Sequence, residues 1–234
     1  MNKFFFQQVF EDFAKGNISA VFNFKYYKRW ENYLDPGRSS ISDHSPWINF
    51  PAIDFLKRNL KPEDKIFEYG GGGSTLFFLD RVRQVITVEH NPEWFKILQE
   101  SILSETKCKW DGNLILPELN QTQELKNIAD PEHYYSEDSN YRKMNFKKYA
   151  SYIDKFKDEY FDLVLIDGRA RPSCIKHSVR KIKKGGFLIL DNAERNYYLN
   201  HTASFLRDFK LVLSKFAPLP YSEIFIQTNI WRKE

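Results

Sequence analysis

Two separated features of this chain have the residue types and spacing of a nucleoside-binding site. The first is the segment EYGGGGS at 68–74, in which a carboxylate precedes four consecutive glycines. Glycines permit positive φ angles and let a ligand approach the backbone, and a helix that follows them presents free N–H groups. The second is Glu89, 17 positions after Gly72, close to the roughly 20 residues expected before a carboxylate that accepts ribose hydroxyls. Together they predict that the chain binds a nucleoside.

Further polar residues follow apolar stretches later in the chain. Asp167-Gly168 ends one such stretch, and Asp191-Asn192 ends another. Because the carboxyl ends of parallel strands meet at one edge of a sheet, we expect both pairs to lie near the glycine segment. Arg169 and Arg171 follow the first pair. We interpret Arg171 as a solvated side chain of a helix-entry turn.

Short apolar strands alternate with helical patterns, which is typical of crossover units on a mostly parallel sheet. The predicted strands lie at 65–69, 84–89, within 113–116, and at 161–166, 187–190, 211–213 and 223–231. A short segment containing prolines joins the last two, which predicts an antiparallel pair at the sheet edge. The predicted fold class is therefore α/β, a seven-stranded, mostly parallel sheet with helices on both faces.

Capping residues predict several helix boundaries. Asn91-Pro92-Glu93 supplies an N-cap, a proline at the first helical position and an acid in the first turn. Pro51 begins a helix that ends near Leu60, and the apolar residues between Phe146 and Phe156 predict another. We interpret Gly185-Gly186 as C-cap glycines that end the helix before the fifth strand.

The length of 234 residues fits one large domain. We expect residues 1–234 to form a single domain, in which 61–234 are a cofactor-binding core. The aromatic, weakly periodic residues 1–60 are predicted to be a flank or lid. The polar stretch near 118–145 is too long for an ordinary connection and is predicted to be an insertion.

Composition excludes several classes of protein. With 42% hydrophobic and 28% charged residues the chain is neither disordered nor collagen-like. A net charge of +4 does not indicate a nucleic-acid partner, and no apolar run reaches the ~18–20 residues of a membrane span. Cys108 and Cys174 cannot build a disulfide framework, so we expect a cytoplasmic protein without a membrane anchor. The sequence leaves the oligomeric state open.

The segment Glu68-Tyr69-Gly70-Gly71-Gly72 resembles motif I, E/D-x-G-x-G, of the class I S-adenosylmethionine-dependent methyltransferases. The acid that ends the second strand, the DLVLIDG and KKGGFLILDN strands and the antiparallel last pair also follow the order of that family. The resemblance covers roughly residues 45–234. It implies a Rossmann-like fold and S-adenosylmethionine (SAM) as the cofactor.

The resemblance also implies roles for individual residues. Glu89 would bind the ribose, the backbone of Gly70, Gly71 and Gly72 would pack on the cofactor, and Ser74 would place its hydroxyl on the methionine carboxylate. Asp167 would lie near the methionine portion and act in catalysis, and His90 is a candidate neighbour of the adenine. Glu68, as the acid of motif I, is included among the cofactor-binding residues.

The methyl acceptor is predicted less directly. Methyltransferases of exocyclic amines and of glutamine carry an Asn/Asp-Pro-Pro-aromatic motif where this chain has Asp167-Gly168-Arg169-Ala170, which favours transfer to oxygen. Asp167 with Asp191-Asn192 resembles the metal triad of catechol and caffeoyl-coenzyme A O-methyltransferases, and such oxygen ligands suit Mg²⁺.

A histidine could instead remove the acceptor proton if no metal takes part in the reaction. His44 and Trp47 precede the helix that we expect to pack near the glycine segment. We therefore rank them first as lid residues, with His44 as a catalytic candidate and Trp47 beside the cofactor.

The leading hypothesis is a SAM-dependent methyltransferase that acts on a small molecule, at oxygen. An NAD(P)-dependent oxidoreductase would use the same loop and acid, although G-x-G-x-x-G would place its last glycine at Thr75. A non-catalytic nucleic-acid-binding module with a vestigial cofactor loop is the third hypothesis.

Overall fold

The computed structural model describes residues 3–120 and 127–234, and its largest feature is a mixed sheet of seven strands. Their spatial order is β3-β2-β1-β6-β7-β9-β8, and the last two pairs in this order are antiparallel. Strands β4 and β5 form a separate antiparallel pair. The strands are β1 Lys65–Tyr69, β2 Gln84–Glu89, β3 Trp110–Leu114, β4 Glu118–Leu119, β5 Met144–Asn145, β6 Phe161–Ile166, β7 Ile182–Leu190, β8 Phe209–Ala217 and β9 Ile226–Lys233.

Helices cover both faces of this sheet. They are α1 Lys3–Ala14, α2 Tyr27–Tyr33, α3 Phe50–Asn59, α4 Gly73–Leu79, α5 Pro92–Ser101, α6 Lys147–Ala150, α7 Arg171–Ser178 and α8 Tyr197–Asn200. The predicted fold class is confirmed, including the antiparallel pair at the C-terminal end. No helix within the described ranges is long and apolar enough to cross a bilayer.

The two faces of the sheet bury different hydrophobic clusters, as the strand pattern requires. Successive side chains of a strand point to opposite faces, so Phe67 and Tyr69 of β1 pack in one cluster and Ile66 packs in the other. Phe5 of α1 and Trp30 of α2 are fully buried in the same cluster as Ile66. The N-terminal helices therefore pack against the sheet as a flank.

Three predicted elements differ from the structure. β3 begins at Trp110, before the predicted stretch, because its pairing with β2 starts at Val85 opposite Trp110. The helix predicted after Phe146 is one short α-helix followed by a 3₁₀ segment, Ser151–Lys155. Gly185-Gly186 lies inside β7 and does not cap a helix. The pairing of β7 with β6 shifts register between Phe161 and Leu163, and Gly185 adopts a φ of +81° there.

Candidate active site

A cavity of about 680 Å³ opens at the carboxyl ends of β1, β2, β6 and β7. Sites for small molecules usually have about 300–1,000 Å³ and form where loops leave the strand ends of such sheets. Most of the residues that the sequence singles out line this cavity: Trp47, Gly70, Gly71, Gly72, Ser74, Glu89, His90, Asp167, Asp191 and Asn192. The crossover topology therefore brings together residues that are up to 145 positions apart in the chain.

The glycine loop between β1 and α4 depends on two close approaches of backbone to backbone. Gly70 has a φ of +88°, and a Cβ there would lie 3.1 Å from the carbonyl oxygen of Asp167. A Cβ on Gly73 would lie 2.2 Å from the carbonyl oxygen of Ser40 and 2.3 Å from that of Ser45. A larger residue at either position would shift the loop away from the ends of β1 and β6.

Glu89, the last residue of β2, directs its carboxylate at the glycine loop. Its Oε2 accepts from the Gly71 N–H at 3.1 Å, and its Oε1 accepts from the N–H groups of His90 and Asn91 at 2.7 and 2.8 Å. Burial raises the pKa of Glu89, but the His90 ring and these N–H donors outweigh burial and hold the pKa below its ordinary value. The carboxylate is therefore ionised at neutral pH.

Arg169 determines which nitrogen of His90 carries the proton. The Arg169 Nε–H donates to Nε2 of His90 at 3.3 Å, so Nε2 acts as an acceptor and the proton of a neutral ring lies on Nδ1. That Nδ1 lies 2.8 Å from Glu89 Oε1, at an angle too poor for a hydrogen bond. An imidazole N–H thus borders the Glu89 carboxylate, and Arg169 holds that ring from its other side.

Glu68 does not line the cavity, contrary to the expectation from motif I. It is fully buried beneath the loop, where the hydroxyls of Ser74, Thr75 and Thr87 donate to its carboxylate. Burial raises its pKa to about 7, although the three hydroxyls act in the opposite direction. Since Thr75 Oγ1 also accepts from the Gly72 N–H at 3.0 Å, Glu68 positions the loop.

The same contacts change the expected role of Ser74. A serine hydroxyl has a single hydrogen, and Ser74 donates it to Glu68 at 2.7 Å. In this arrangement Ser74 can accept a hydrogen bond from a ligand but cannot donate one to a carboxylate.

Trp94 in the first turn of α5 contacts the loop from the other side. Its indole N–H donates to the Gly71 carbonyl at 2.6 Å, and a Cβ on Gly72 would lie 3.4 Å from its ring. From the sequence, Trp94 is a residue with helical spacing and a candidate to line an acceptor pocket, and it does line the cavity, but the sequence gives no sign of the hydrogen bond to the loop. The one sequence signal for the position of Trp94 is that it lies three residues after the N-cap Asn91, whose side chain accepts from the Trp94 N–H.

Arg171 is buried, which corrects the interpretation of this side chain as solvated. It is 7% exposed and lies between the ends of β6 and β7. Its Nη2 donates to Asp167 Oδ1 at 3.0 Å, its Nε donates to the Gly168 carbonyl at 3.1 Å, and its Nη1 donates to the Asp191 carbonyl. A positive charge is thus fixed at the strand ends.

Asp191 lies beside this guanidinium and is itself buried. Thr228 donates its hydroxyl to Asp191 Oδ1 at 2.8 Å. Burial and the neighbouring Asp167 carboxylate raise the pKa of Asp191 well above its ordinary value.

The predicted magnesium ligands Asp167, Asp191 and Asn192 meet at the cavity, but the residues around them do not fit a divalent cation. The Arg171 guanidinium already pairs with Asp167 Oδ1 at 3.0 Å, and its positive charge opposes a cation beside that carboxylate. Asp191 Oδ1 already accepts the hydrogen bond of the Thr228 hydroxyl at 2.8 Å. Within residues 3–120 and 127–234, no cluster of three His, Cys, Asp or Glu side chains could hold a metal.

The two predicted lid residues separate in the structure. Trp47 lines the cavity, half exposed, with its ring edge-on to Tyr221 at 6.3 Å. His44 does not line the cavity, and its Nδ1 lies 3.1 Å from Asp80 Oδ2. A φ of +45° at His44 turns the chain there, so its ring pairs with the C-terminal end of α4. The prediction of His44 as a catalytic residue is therefore not supported.

The chain has the fold of the class I SAM-dependent methyltransferases. It is similar to an O-methyltransferase from Bacillus cereus in complex with S-adenosylhomocysteine (SAH), with 14% identity, a TM-score of 0.58 and coverage of 88% of this chain and 96% of that one. A Klebsiella pneumoniae protein assigned as an O-methyltransferase has 13% identity and a TM-score of 0.56, with coverage of 88% and 98%.

A Streptococcus mutans protein assigned as a methyltransferase, in complex with SAH, has 14% identity and a TM-score of 0.50, with coverage of 77% and 94%. No protein-family model matches the chain, and no curated protein matches it. At these identities the likeness establishes the fold.

Proposed function

We propose that this protein is a SAM-dependent methyltransferase that acts on a small molecule, at an oxygen atom. The observation that carries the proposal is the ionised Glu89 carboxylate, hydrogen-bonded to the Gly71 N–H at the edge of the 680 Å³ cavity. Binding of an adenosyl group requires a loop of glycines and an acid at the end of the adjacent strand, and both are present here.

The cofactor-binding residues act through backbone and carboxylate groups. Glu89 Oε2, which within residues 3–120 and 127–234 accepts from the Gly71 N–H alone, would accept the ribose hydroxyls. The bare backbone of Gly70 and Gly72 allows close contact with the donor, and His90 borders the same end of the cavity. Trp47 covers the cavity from the side of residues 1–60.

SAM supplies an electrophilic methyl group when it is bound. Because methyl transfer would remove the sulfonium charge, the residues around the cavity would mainly hold donor and acceptor in line and keep water away. Asp167, whose carboxylate faces the cavity and is held by Arg171, is the candidate to accept the proton of the acceptor hydroxyl. No step in this scheme uses a metal.

Two observations support a small-molecule acceptor and methyl transfer to an oxygen atom. The turn after β6 reads Asp167-Gly168-Arg169-Ala170, without the motif of amine methyltransferases. The Bacillus cereus protein of similar fold is an O-methyltransferase. Both cysteines are free thiols, which supports a cytoplasmic location.

Isothermal titration calorimetry with SAH tests the proposal. We expect the wild type to bind SAH and Glu89→Gln to bind it about 10- to 100-fold more weakly, because a hydrogen bond to a charged group contributes about 1.5–3 kcal/mol. Glu93→Gln, an exposed acid of α5, is the matched control and should bind as the wild type does. A wild type that binds NADH and not SAH would support the oxidoreductase hypothesis instead.

A further inference from the structure

Two arginines mark a boundary of the cavity beyond Asp167. Arg169 follows β6 and Arg195 follows β7, and both line the 680 Å³ cavity. Both also line a narrow cleft of about 20 Å³ on their other side. The two guanidinium groups therefore lie between the main cavity and the residues of the insertion that line the cleft.

Each of these arginines is paired with one of two adjacent acids of the insertion. Arg169 Nη2 lies 2.8 Å from Asp138 Oδ2, and Arg195 Nη1 pairs with the Glu137 carboxylate. Side-chain exposure is 34% and 20% in the first pair and 39% and 35% in the second. One dipeptide of the insertion thus neutralises two cations at the wall of the proposed active site.

Such pairs exchange easily for a ligand anion. Partly exposed ion pairs contribute at most about a factor of five to an equilibrium constant. Asp138 Oδ1 also accepts from the Asn140 N–H of its own segment at 2.9 Å and keeps this partner if the segment moves. Glu137 is partly exposed, so water can replace Arg195 and the Tyr197 hydroxyl as its partners. Withdrawal of the dipeptide would therefore not strand a buried charge.

Arg171 differs from Arg169 and Arg195 in this respect. It is buried and bonded to the backbone carbonyls of Gly168 and Asp191 as well as to Asp167, so it cannot be released to a ligand. The planar fork of an arginine suits a carboxylate or a phosphate, which accept two parallel hydrogen bonds. The exchangeable cations at the wall are thus suited to an anionic group of that shape.

We propose that the methyl acceptor carries an anionic group, a carboxylate or a phosphate, that takes the places of Glu137 and Asp138 on Arg195 and Arg169. This inference rests on the proposed methyltransferase function and specifies its substrate class. The acidic dipeptide occupies the arginines in the free protein and moves away when the acceptor enters, which joins the main cavity to the cleft behind it.

Calorimetric titration of the SAH-saturated protein with inorganic phosphate, and separately with benzoate, tests the inference and distinguishes the two kinds of anion. We expect Glu137→Gln/Asp138→Asn to bind at least one probe about three- to tenfold more tightly than the wild type. Arg169→Gln/Arg195→Gln should bind that probe at least about tenfold more weakly. Arg180→Gln, an exposed arginine paired with Asp158 outside the cavity, is the control and should leave binding unchanged.

Three results would overturn the inference. Equal anion affinity in the wild type and in Arg169→Gln/Arg195→Gln would mean that the anion binds elsewhere. Failure of Glu137→Gln/Asp138→Asn to bind either probe would mean that the acids do not compete with an anion. Weaker SAH binding by the arginine variant, with unchanged anion binding, would assign the arginines to the cofactor carboxylate. A wild type that binds no SAH would refute the methyltransferase function itself. The anion titrations can then be run on the free protein, so the two failures are distinguishable.

Discussion

Glu68→Gln should change how the stability of this protein depends on pH. Glu68 is fully buried under the glycine loop, and burial raises its pKa from 4.5 to about 7. The folded state therefore retains a proton that the unfolded chain releases, and the free energy of unfolding falls as pH rises between these two values. At about 1.4 kcal/mol per pH unit, the fall from this residue alone is about 3 kcal/mol.

Glutamine has the same shape as glutamate and does not titrate, so the variant lacks this pH-dependent contribution to the free energy of unfolding. We expect the free energy of unfolding of the wild type, relative to Glu68→Gln, to fall by about 3 kcal/mol between about pH 4 and about pH 8. Urea unfolding at a series of pH values measures it, with Glu100→Gln, an exposed acid of α5, as the control for loss of a surface charge. A difference between wild type and Glu68→Gln that stays constant over this range would refute the assignment of Glu68 as a buried, proton-binding support of the loop.

Two further predictions concern contacts that the sequence pattern does not reveal. Arg171→Met should lower the free energy of unfolding by about 3 kcal/mol or more, because it removes the buried cation paired with Asp167 and leaves the carbonyls of Gly168 and Asp191 without their donor. Excess Mg²⁺ should not change the unfolding of the wild type. A loss below about 1 kcal/mol, or stabilisation of the wild type by Mg²⁺, would contradict these contacts at the strand ends. Trp94→Phe removes the 2.6 Å hydrogen bond to the Gly71 carbonyl, which contributes about 1 kcal/mol. The variant should therefore bind SAH about fivefold more weakly in calorimetry. An unchanged affinity would show that the loop keeps its shape without this contact.

The sequence predicts the strands of the sheet and its fold class because the strands carry local signals. FDLVLI is a continuous apolar run of the kind that is buried on both faces, and it is β6 in the structure. The Asn91-Pro92 start of α5 is equally local and is confirmed by the hydrogen bond from the Trp94 N–H to the Asn91 side chain. Gly185-Gly186 has two local interpretations, a cap and a bulge, and only the pairing of β7 with β6 distinguishes them.

Side-chain roles at the site depend on contacts that no local pattern encodes. Arg171 sits in a turn where a solvated side chain is the usual outcome, and its burial follows from the meeting of β6 and β7. Glu68 follows the motif, yet its carboxylate points below the loop because Thr75 and Thr87 provide hydroxyls there. His44 precedes the helix before the glycine loop in the sequence. Its pairing with Asp80 depends on the position of α4 in the folded protein, which the sequence does not give.

A crystal structure of the protein with SAH tests the central claim most directly. The account predicts an adenosyl group over Gly70–Gly72, with both ribose hydroxyls within hydrogen-bond distance of the Glu89 carboxylate and the sulfur on the side of Asp167. A nucleoside bound outside this cavity, or a ribose with no contact to Glu89, would contradict it.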